Sequence, residues 1–276
     1  MSQLTEKFIL SNGMEIPAIG LGTWQMSQEE AESMVAYALK NNYIHIDTAR
    51  TYWNEEGVGK GIKSSGLARE DFFLTTKVSA FSKGYDEAKK DVEDSLQALD
   101  VDYIDLVIIH APRPWDEMYT DTPVEKLYFE ENLEVWRAME EAYQAGKIKS
   151  IGVSNFEIDD LVNLIENVDI KPMLNQIKYH IGHRDEQLVQ FCQENDIVVE
   201  AYSPLGTGKL LSNPLLKEMA KKYNKTVAQI AIRYCYQKGL VVLPKSVHEH
   251  YVDNNADIDF EILATDMDYL NRLIIN

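Results

Sequence analysis

Two cysteines in 276 residues leave little room for sulfur chemistry. Cys192 and Cys235 fall on separate predicted helices without the close pairing of a zinc or redox motif, which argues against a metal site and against a disulfide framework. Both are expected as reduced, buried thiols of a cytoplasmic protein, and no metal is expected. Basic residues are also scarce: 27 Lys and Arg face 45 Asp and Glu, for a net charge of −18. A surface of that sign repels phosphate backbones and anionic lipids, so neither nucleic acid nor a membrane is an expected partner. No apolar run reaches the ~18 residues needed to span a bilayer. The opening MSQLTEKFIL has no basic flank before an apolar stretch and no small-residue cleavage site, so it does not read as a signal peptide. Repeats, low-complexity tracts and linkers are missing too. One domain over residues 1–276 is expected, with no pattern that demands an obligate interface, hence a monomer.

What is present is ordinary for a soluble protein with a sizeable core: 45% apolar and 26% charged residues. Short apolar runs alternate with amphipathic stretches from end to end. The runs predict strands at Ala18–Gly22, Tyr43–Asp47, Phe72–Lys77, Tyr103–His110, Ile148–Val153, Met173–Ile177, Val198–Tyr202 and Leu240–Pro244. Between them, Tyr85, Ala88, Val92, Leu96 and Leu99 recur at helical spacing, and Ser27 with Glu30 forms a capping box that opens a helix. Near-continuous apolar strands such as Leu106-Val-Ile-Ile109 fit a parallel sheet covered by helices. Eight strands alternating with helices fit a closed barrel or a doubly wound sheet. Asn12-Gly13 between apolar residues predicts a hairpin ahead of the first strand, placed to plug one end of a barrel.

Two glycine motifs invite a nucleotide-binding reading and fail it. Gly20-Leu-Gly22 has Gln25 where the third glycine of a dinucleotide fingerprint belongs, and Asp47 lies too far on for the acidic partner. Gly206-Thr-Gly208-Lys209 has Ser203 in place of the first P-loop glycine and Leu210 where a hydroxyl must reach magnesium.

The informative residues stand at the C-terminal ends of apolar strands: Asp47, Lys77 and His110, with Tyr52 just beyond the first. Any one of them reads as readily as a cap or a solvated rim. In a parallel barrel all three ends open on one mouth, where such folds keep their active sites. A lysine in that position also suits a Schiff-base aldolase.

Seven ordered segments carry a resemblance: Asp47-Thr-Ala-Arg-Thr-Tyr-Trp-Asn-Glu-Glu56, Leu74-Thr-Thr-Lys77, Asp102-Tyr-Ile-Asp-Leu-Val-Ile-Ile-His110, Gly152-Val-Ser-Asn-Phe156, Asn175-Gln176, Glu200-Ala-Tyr-Ser-Pro-Leu-Gly206 and Leu243-Pro-Lys-Ser246. Together they resemble the aldo-keto reductase family over nearly the whole chain, in particular its short prokaryotic diketo-gluconate and glyoxal reductases. The resemblance implies an α/β fold, a single (β/α)8 barrel with an N-terminal hairpin and extra helices. It implies a cytoplasmic oxidoreductase that reduces small aldehydes, ketones or dicarbonyls with NADPH. It assigns Tyr52 as proton donor, Lys77 as the ammonium that lowers the phenol's pKa, Asp47 as the partner of Lys77, and His110 as a hydrogen-bond donor to the substrate oxygen.

The same resemblance places Ser154, Asn155 and Gln176 on the nicotinamide carboxamide and Tyr202 against the ring. Ser203, Leu205 and Gly206 fall on the pyrophosphate, and Lys245, Ser246 and Asn255 on the adenosine end. Gly22 and Thr23 flank the nicotinamide ribose beside Asp47, and Trp24, Trp53 and Trp115 line the substrate mouth. Four departures stand out. Ala111 replaces a usual Trp after His110, and Trp53 a usual Gly after Tyr52. Tyr251 replaces the Arg that helps clamp a 2′-phosphate, which makes NADH a plausible second cofactor. Only 16 residues follow Phe260, so the long pocket-closing tail of some members is missing. A binder that keeps the cofactor but has lost turnover is a third reading, disfavoured by the complete tetrad.

Overall fold

The apolar runs become eight parallel strands, preceded by an antiparallel hairpin of β1 (Lys7–Ile9) and β2 (Glu15–Pro17). The eight are β3 (Leu21–Gly22), β4 (His45–Asp47), β5 (Phe73–Val78), β6 (Leu106–Ile109), β7 (Ile151–Ser154), β8 (Leu174–Lys178), β9 (Val198–Tyr202) and β10 (Val241–Leu243). They lie side by side in chain order in a computed structural model that describes residues 4, 6–118, 120 and 126–275. The choice between barrel and open sheet is settled at the seam. The amides of Gly20 and Gly22 donate to the carbonyls of Val242 and Pro244 at 3.0 Å, and Val242 N donates to Ala18 O at 2.9 Å. These bonds join the first strand to the last, so the ring is closed as a (β/α)8 barrel.

Several strands are shorter than their apolar runs. Regular pairing in the Tyr103–His110 run covers only Leu106–Ile109, with a single bridge from Ile104 to Ile148. The Ala18–Gly22 run is regular at Leu21–Gly22, with a bridge from Ile19 to Val242. The runs record burial; the ladder records only where neighbouring backbones stay in register.

The hairpin sits at the N-terminal ends of the strands. Its turn uses Gly13 at φ +86, and Asn12 holds it down by donating to Lys149 O, just before β7, at 2.9 Å. Leu10, Ile16 and Ala18 are buried beneath it. With that end covered, the opposite end is left for chemistry. Helices wrap the outside, including Gln28–Lys40 with the Ser27/Glu30 capping box in place and Tyr85–Leu99 with Ala88, Val92 and Leu99 buried. The extra helices include two between β9 and β10, Pro214–Lys222 and Val227–Gln237, and two after β10, Glu249–Ala256 and Ala264–Arg272. Among the described residues no helix is long and apolar enough to cross a membrane.

Gly20, part of the false fingerprint, is glycine for a packing reason. A Cβ there would lie 2.6 Å from His45 Nδ1 and 2.7 Å from Leu243 Cδ2. Gly20→Ala should therefore overpack the seam and cost about 1–3 kcal/mol, the usual range for an added methyl in a filled core. Thermal unfolding would show it as a fall of several degrees, and an unchanged midpoint would mean that the seam has room for a methyl group.

Candidate active site

Parallel pairing sets Asp47 beside Thr75 on β4 and β5, and strand alternation turns His45, Asp47, Thr75 and Lys77 into the barrel. Lys77 Nζ donates to Asp47 Oδ1 and Oδ2, both at 2.7 Å, and to the carbonyl of Thr48 at 2.8 Å. An ammonium has three N–H groups, so all three are used. Both side chains are buried, Lys77 completely. Thr23, at the end of β3, fixes the Asp47 carbonyl through its own N–H and hydroxyl, each at 3.0 Å. A lysine held this way has no free amine to attack a carbonyl, which removes the Schiff-base aldolase reading.

Tyr52 ends a single 3-10 turn, Arg50–Tyr52, pinned by Arg50 donating to Glu55 at 3.2 Å and to Asp94 at 2.9 Å. Lys77 Nζ lies 4.9 Å from the centre of its ring, and the Tyr52 hydroxyl has no hydrogen-bond partner among the described residues. The expected lowering of its pKa is not found. Burial, then the Asp47 and Glu200 carboxylates, push the phenol well above its usual value. The reason is geometric: the Lys77 charge is matched at contact by Asp47 and reaches Tyr52 only across the ring.

His110 follows β6 and presents its ring edge-on to Tyr52 at 5.5 Å and to Trp115 at 4.9 Å. Its Nδ1 lies 3.2 Å from Thr51 Oγ1. Burial first, then the Lys77 charge, hold it well below the ordinary histidine pKa, so the imidazole is neutral.

Below this trio lies a second polar layer. Gln176 on β8 donates from Nε2 to Asp47 Oδ2 at 2.8 Å and to Glu200 Oε2 at 2.7 Å. Glu200 sits on β9 opposite Gln176 and is fully buried. Its Oε1 has no hydrogen-bond partner among the described residues and faces His45 Nε2 at 3.7 Å. Burial, reinforced by the Asp47 charge, pushes Glu200 up to about 8, and burial pushes His45 down to about 3. At neutral pH both are uncharged. Glu200 opens one of the seven motif segments without an assigned role there, and His45 lies outside them all.

The other expected residues fall into three groups. Ser154, Asn155, Gln176 and Tyr202 meet at the mouth: Asn155 donates to His110 O and to Ser154 Oγ, both at 3.0 Å, and accepts from the Tyr202 hydroxyl at 2.8 Å. Ser154 Oγ donates to Gln176 O at 2.8 Å. Ser203, Leu205 and Gly206 form the turn after β9, closed by Gly206 N donating to Ser203 O at 2.8 Å, with Ser203 and Gly206 both at positive φ. Lys245, Ser246 and Asn255 follow β10; Ser246 Oγ accepts from His248 N at 3.0 Å, Lys245 is exposed and Asn255 is buried. Gly22 links this group to the mouth through Pro244. Of the three tryptophans, Trp115 reaches His110, whereas Trp24 and Trp53 are 46% and 78% exposed and form a loose rim.

The buried pair of titrating groups gives stability a particular pH dependence. Between about 3 and 6.5 the unfolded chain binds a proton that folded His45 refuses, so stability rises with pH. Between 4.5 and about 8 folded Glu200 holds a proton that the unfolded chain has lost, so stability falls as pH rises. The two slopes oppose each other from 4.5 to 6.5 and leave the Glu200 loss uncovered above. Glu200→Gln should lose less melting temperature than the wild type between pH 6.5 and 8; equal losses would show that Glu200 is already ionised across that window.

The aldo/keto reductase family model matches residues 18–275. The glyoxal reductase of Bacillus subtilis is 43% identical, over 99% of this chain and 94% of its own length. A crystal structure of an aldo/keto reductase from Brucella melitensis superposes with a TM-score of 0.87 at 43% identity, covering 97% of each chain. A Bombyx mori aldo-keto reductase solved in complex with NADP superposes at 0.86 with 34% identity, covering 97% of this chain and 92% of its own. With the barrel closed, Asp47, Lys77 and His110 at the strand ends with Tyr52 beside them, and a match over nearly its full length, the chain belongs to the aldo/keto reductase family.

Proposed function

We propose that this member of the family reduces small aldehydes, ketones and α-dicarbonyls with NADPH, accepts NADH as well, and uses Tyr52 as its proton donor. The observation that carries the reading is the convergence of a protonated phenol and a neutral imidazole on one mouth, above a lysine whose charge is fixed. The residues present suit the cofactor. Gln176 spends both amide protons inward, which leaves its carbonyl oxygen, without a partner among the described residues, as an acceptor for a carboxamide. When bound, the reduced nicotinamide supplies a hydride to the carbonyl carbon.

The chain must supply the proton. As the carbonyl oxygen becomes an alkoxide, the O–H bond of Tyr52 breaks and its proton passes to that oxygen. An alkoxide is about as basic as hydroxide, so the transfer runs downhill even from a phenol with a raised pKa. The raised value keeps the donor protonated, and the Lys77 charge, 4.9 Å from the ring, attracts the phenolate left behind. In the tautomer that carries its proton on Nε2, His110 accepts from Thr51 Oγ1 at Nδ1 and offers the Nε2 proton to the developing negative oxygen. The exposed Trp24 and Trp53 leave the mouth open, which suits small and varied carbonyls. The similarity to a glyoxal reductase points to dicarbonyls among them.

Tyr52→Phe removes the donor and nothing else of that size. It should keep NADPH binding and lose on the order of 10²-fold or more in turnover. Near wild-type reduction of an aldehyde by the Phe variant would refute the assignment.

The adenosine end sets the choice of cofactor. Lys245 and Ser246 supply one charge and one hydroxyl, and Tyr251 lies on the following helix, half-exposed and 3.9 Å from the ring centre of His250. A phenol cannot match the charged fork of Arg toward a phosphate, so the preference for NADPH should be narrow. Losing such a contact costs about 1.5–3 kcal/mol, or roughly ten- to a hundredfold. Tyr251→Arg should raise the NADPH:NADH ratio of kcat/KM at least severalfold, and an unchanged ratio would place residue 251 away from the 2′-phosphate.

A further inference from the structure

Among the described residues, Glu200 is a fully buried carboxyl inside the barrel that the proposed chemistry leaves unused. It touches neither the mouth nor Lys77, and its only hydrogen bond runs to the amide of Gln176. That amide is symmetrical enough to sit either way round: flipped by 180° it would present NH2 to the mouth and its oxygen to the barrel interior. Asp47 alone opposes the flip with one bond. Glu200 accepts the second amide proton, so the plane of the group is fixed at two points and its oxygen is committed outward.

We propose that Glu200 is a positioning residue for cofactor binding, acting through Gln176: it locks the Gln176 amide with nitrogen inward and oxygen toward the mouth. The inference rests on the reading of Gln176 as a carboxamide contact. A second feature fits a device of this kind. Glu200 is buried with one oxygen lacking any hydrogen bond. A leucine of similar bulk would remove that unpaired group, so a purely structural glutamate has no evident advantage at this position. His45, whose Nε2 lies 3.2 Å from Thr75 Oγ1, backs the carboxyl from behind and limits its own movement.

The test is a double-mutant cycle read by NADPH affinity, measured as quenching of tryptophan fluorescence in the full-length protein without substrate. Glu200→Leu should weaken NADPH about three- to tenfold, the scale of one hydrogen bond that orders a binding group. Glu200→Gln keeps an acceptor oxygen for Gln176 and should restore most of the affinity. Gln176→Ala should itself weaken NADPH, and adding Glu200→Leu to that variant should weaken it no further. An equal effect of Glu200→Leu with and without Gln176, no effect of Glu200→Leu at all, or a Glu200→Gln variant as weak as the Leu variant would each overturn the proposal while leaving Gln176 as a cofactor contact. Full NADPH affinity in Gln176→Ala would instead remove that contact, and the role of Glu200 with it.

Discussion

The buried ion pair of Lys77 and Asp47 is the interaction on which the site depends. Taking two charges out of water costs several kcal/mol per ion, and only full hydrogen bonding in good geometry offsets that. Here the geometry is complete: two carboxylate oxygens and one carbonyl meet three ammonium protons. This requires Asp47 and Lys77 on neighbouring strands in fixed register, and Thr23, just after a third strand, holding the Asp47 backbone. Any slip of β4 against β5 by one residue would turn one of the partners out of the barrel. The ring of eight strands is thus both the scaffold of the pair and the reason it can stay charged in a dry interior.

The pair also shapes what surrounds it. Burial first, and then the Asp47 charge, leave Tyr52 with a raised pKa, while burial and the Lys77 charge keep His110 neutral. Both are then hydrogen-bond donors in their resting state, which suits a site that must meet negative charge growing on an oxygen. One Asp47 oxygen also accepts from Gln176, so the group that fixes the lysine helps to fix the amide on the far side of the barrel. Two strand-end devices, β4–β5 and β8–β9, are joined at a single carboxylate.

Much of this is legible in the chain itself. Asp47, Lys77 and His110 each end an apolar run, and a parallel barrel turns such ends to one mouth, so their assembly follows from pattern and topology. Glu200 is a different case. It interrupts Val198-Val-Glu-Ala-Tyr202 in the middle, and a glutamate inside a buried strand is an anomaly worth pursuing on burial cost alone. What the sequence does not contain is the pairing register that puts Glu200 opposite Gln176. Asn155 shows the same limit. Its place at a strand end is readable, but its bridging of the His110 backbone to the Tyr202 hydroxyl depends on three strands meeting. The direction of the Tyr52 shift was out of reach for a related reason. Sequence proximity suggests that Lys77 dominates, whereas burial of the phenol is the larger cause and the Asp47 charge adds to it.

Trp53 ties sequence, strain and mouth together. Its backbone is left-handed, at φ 58, a conformation that costs a side-chain-bearing residue about 1–2 kcal/mol and that glycine adopts freely. In this chain the strain is held by a clamp. Gln28 donates from its side chain to Trp53 O at 2.7 Å and accepts from Gly57 N, tying the start of one helix to the turn that carries Tyr52. The helix that receives this clamp can approach so closely only because residue 57 is glycine; a Cβ there would stand 2.2 Å from the Gln28 carbonyl oxygen. The turn's conformation is therefore imposed by the packing of two helices rather than by residue 53. That leaves position 53 free to carry a large, exposed ring into solvent without altering the geometry of Tyr52 beside it.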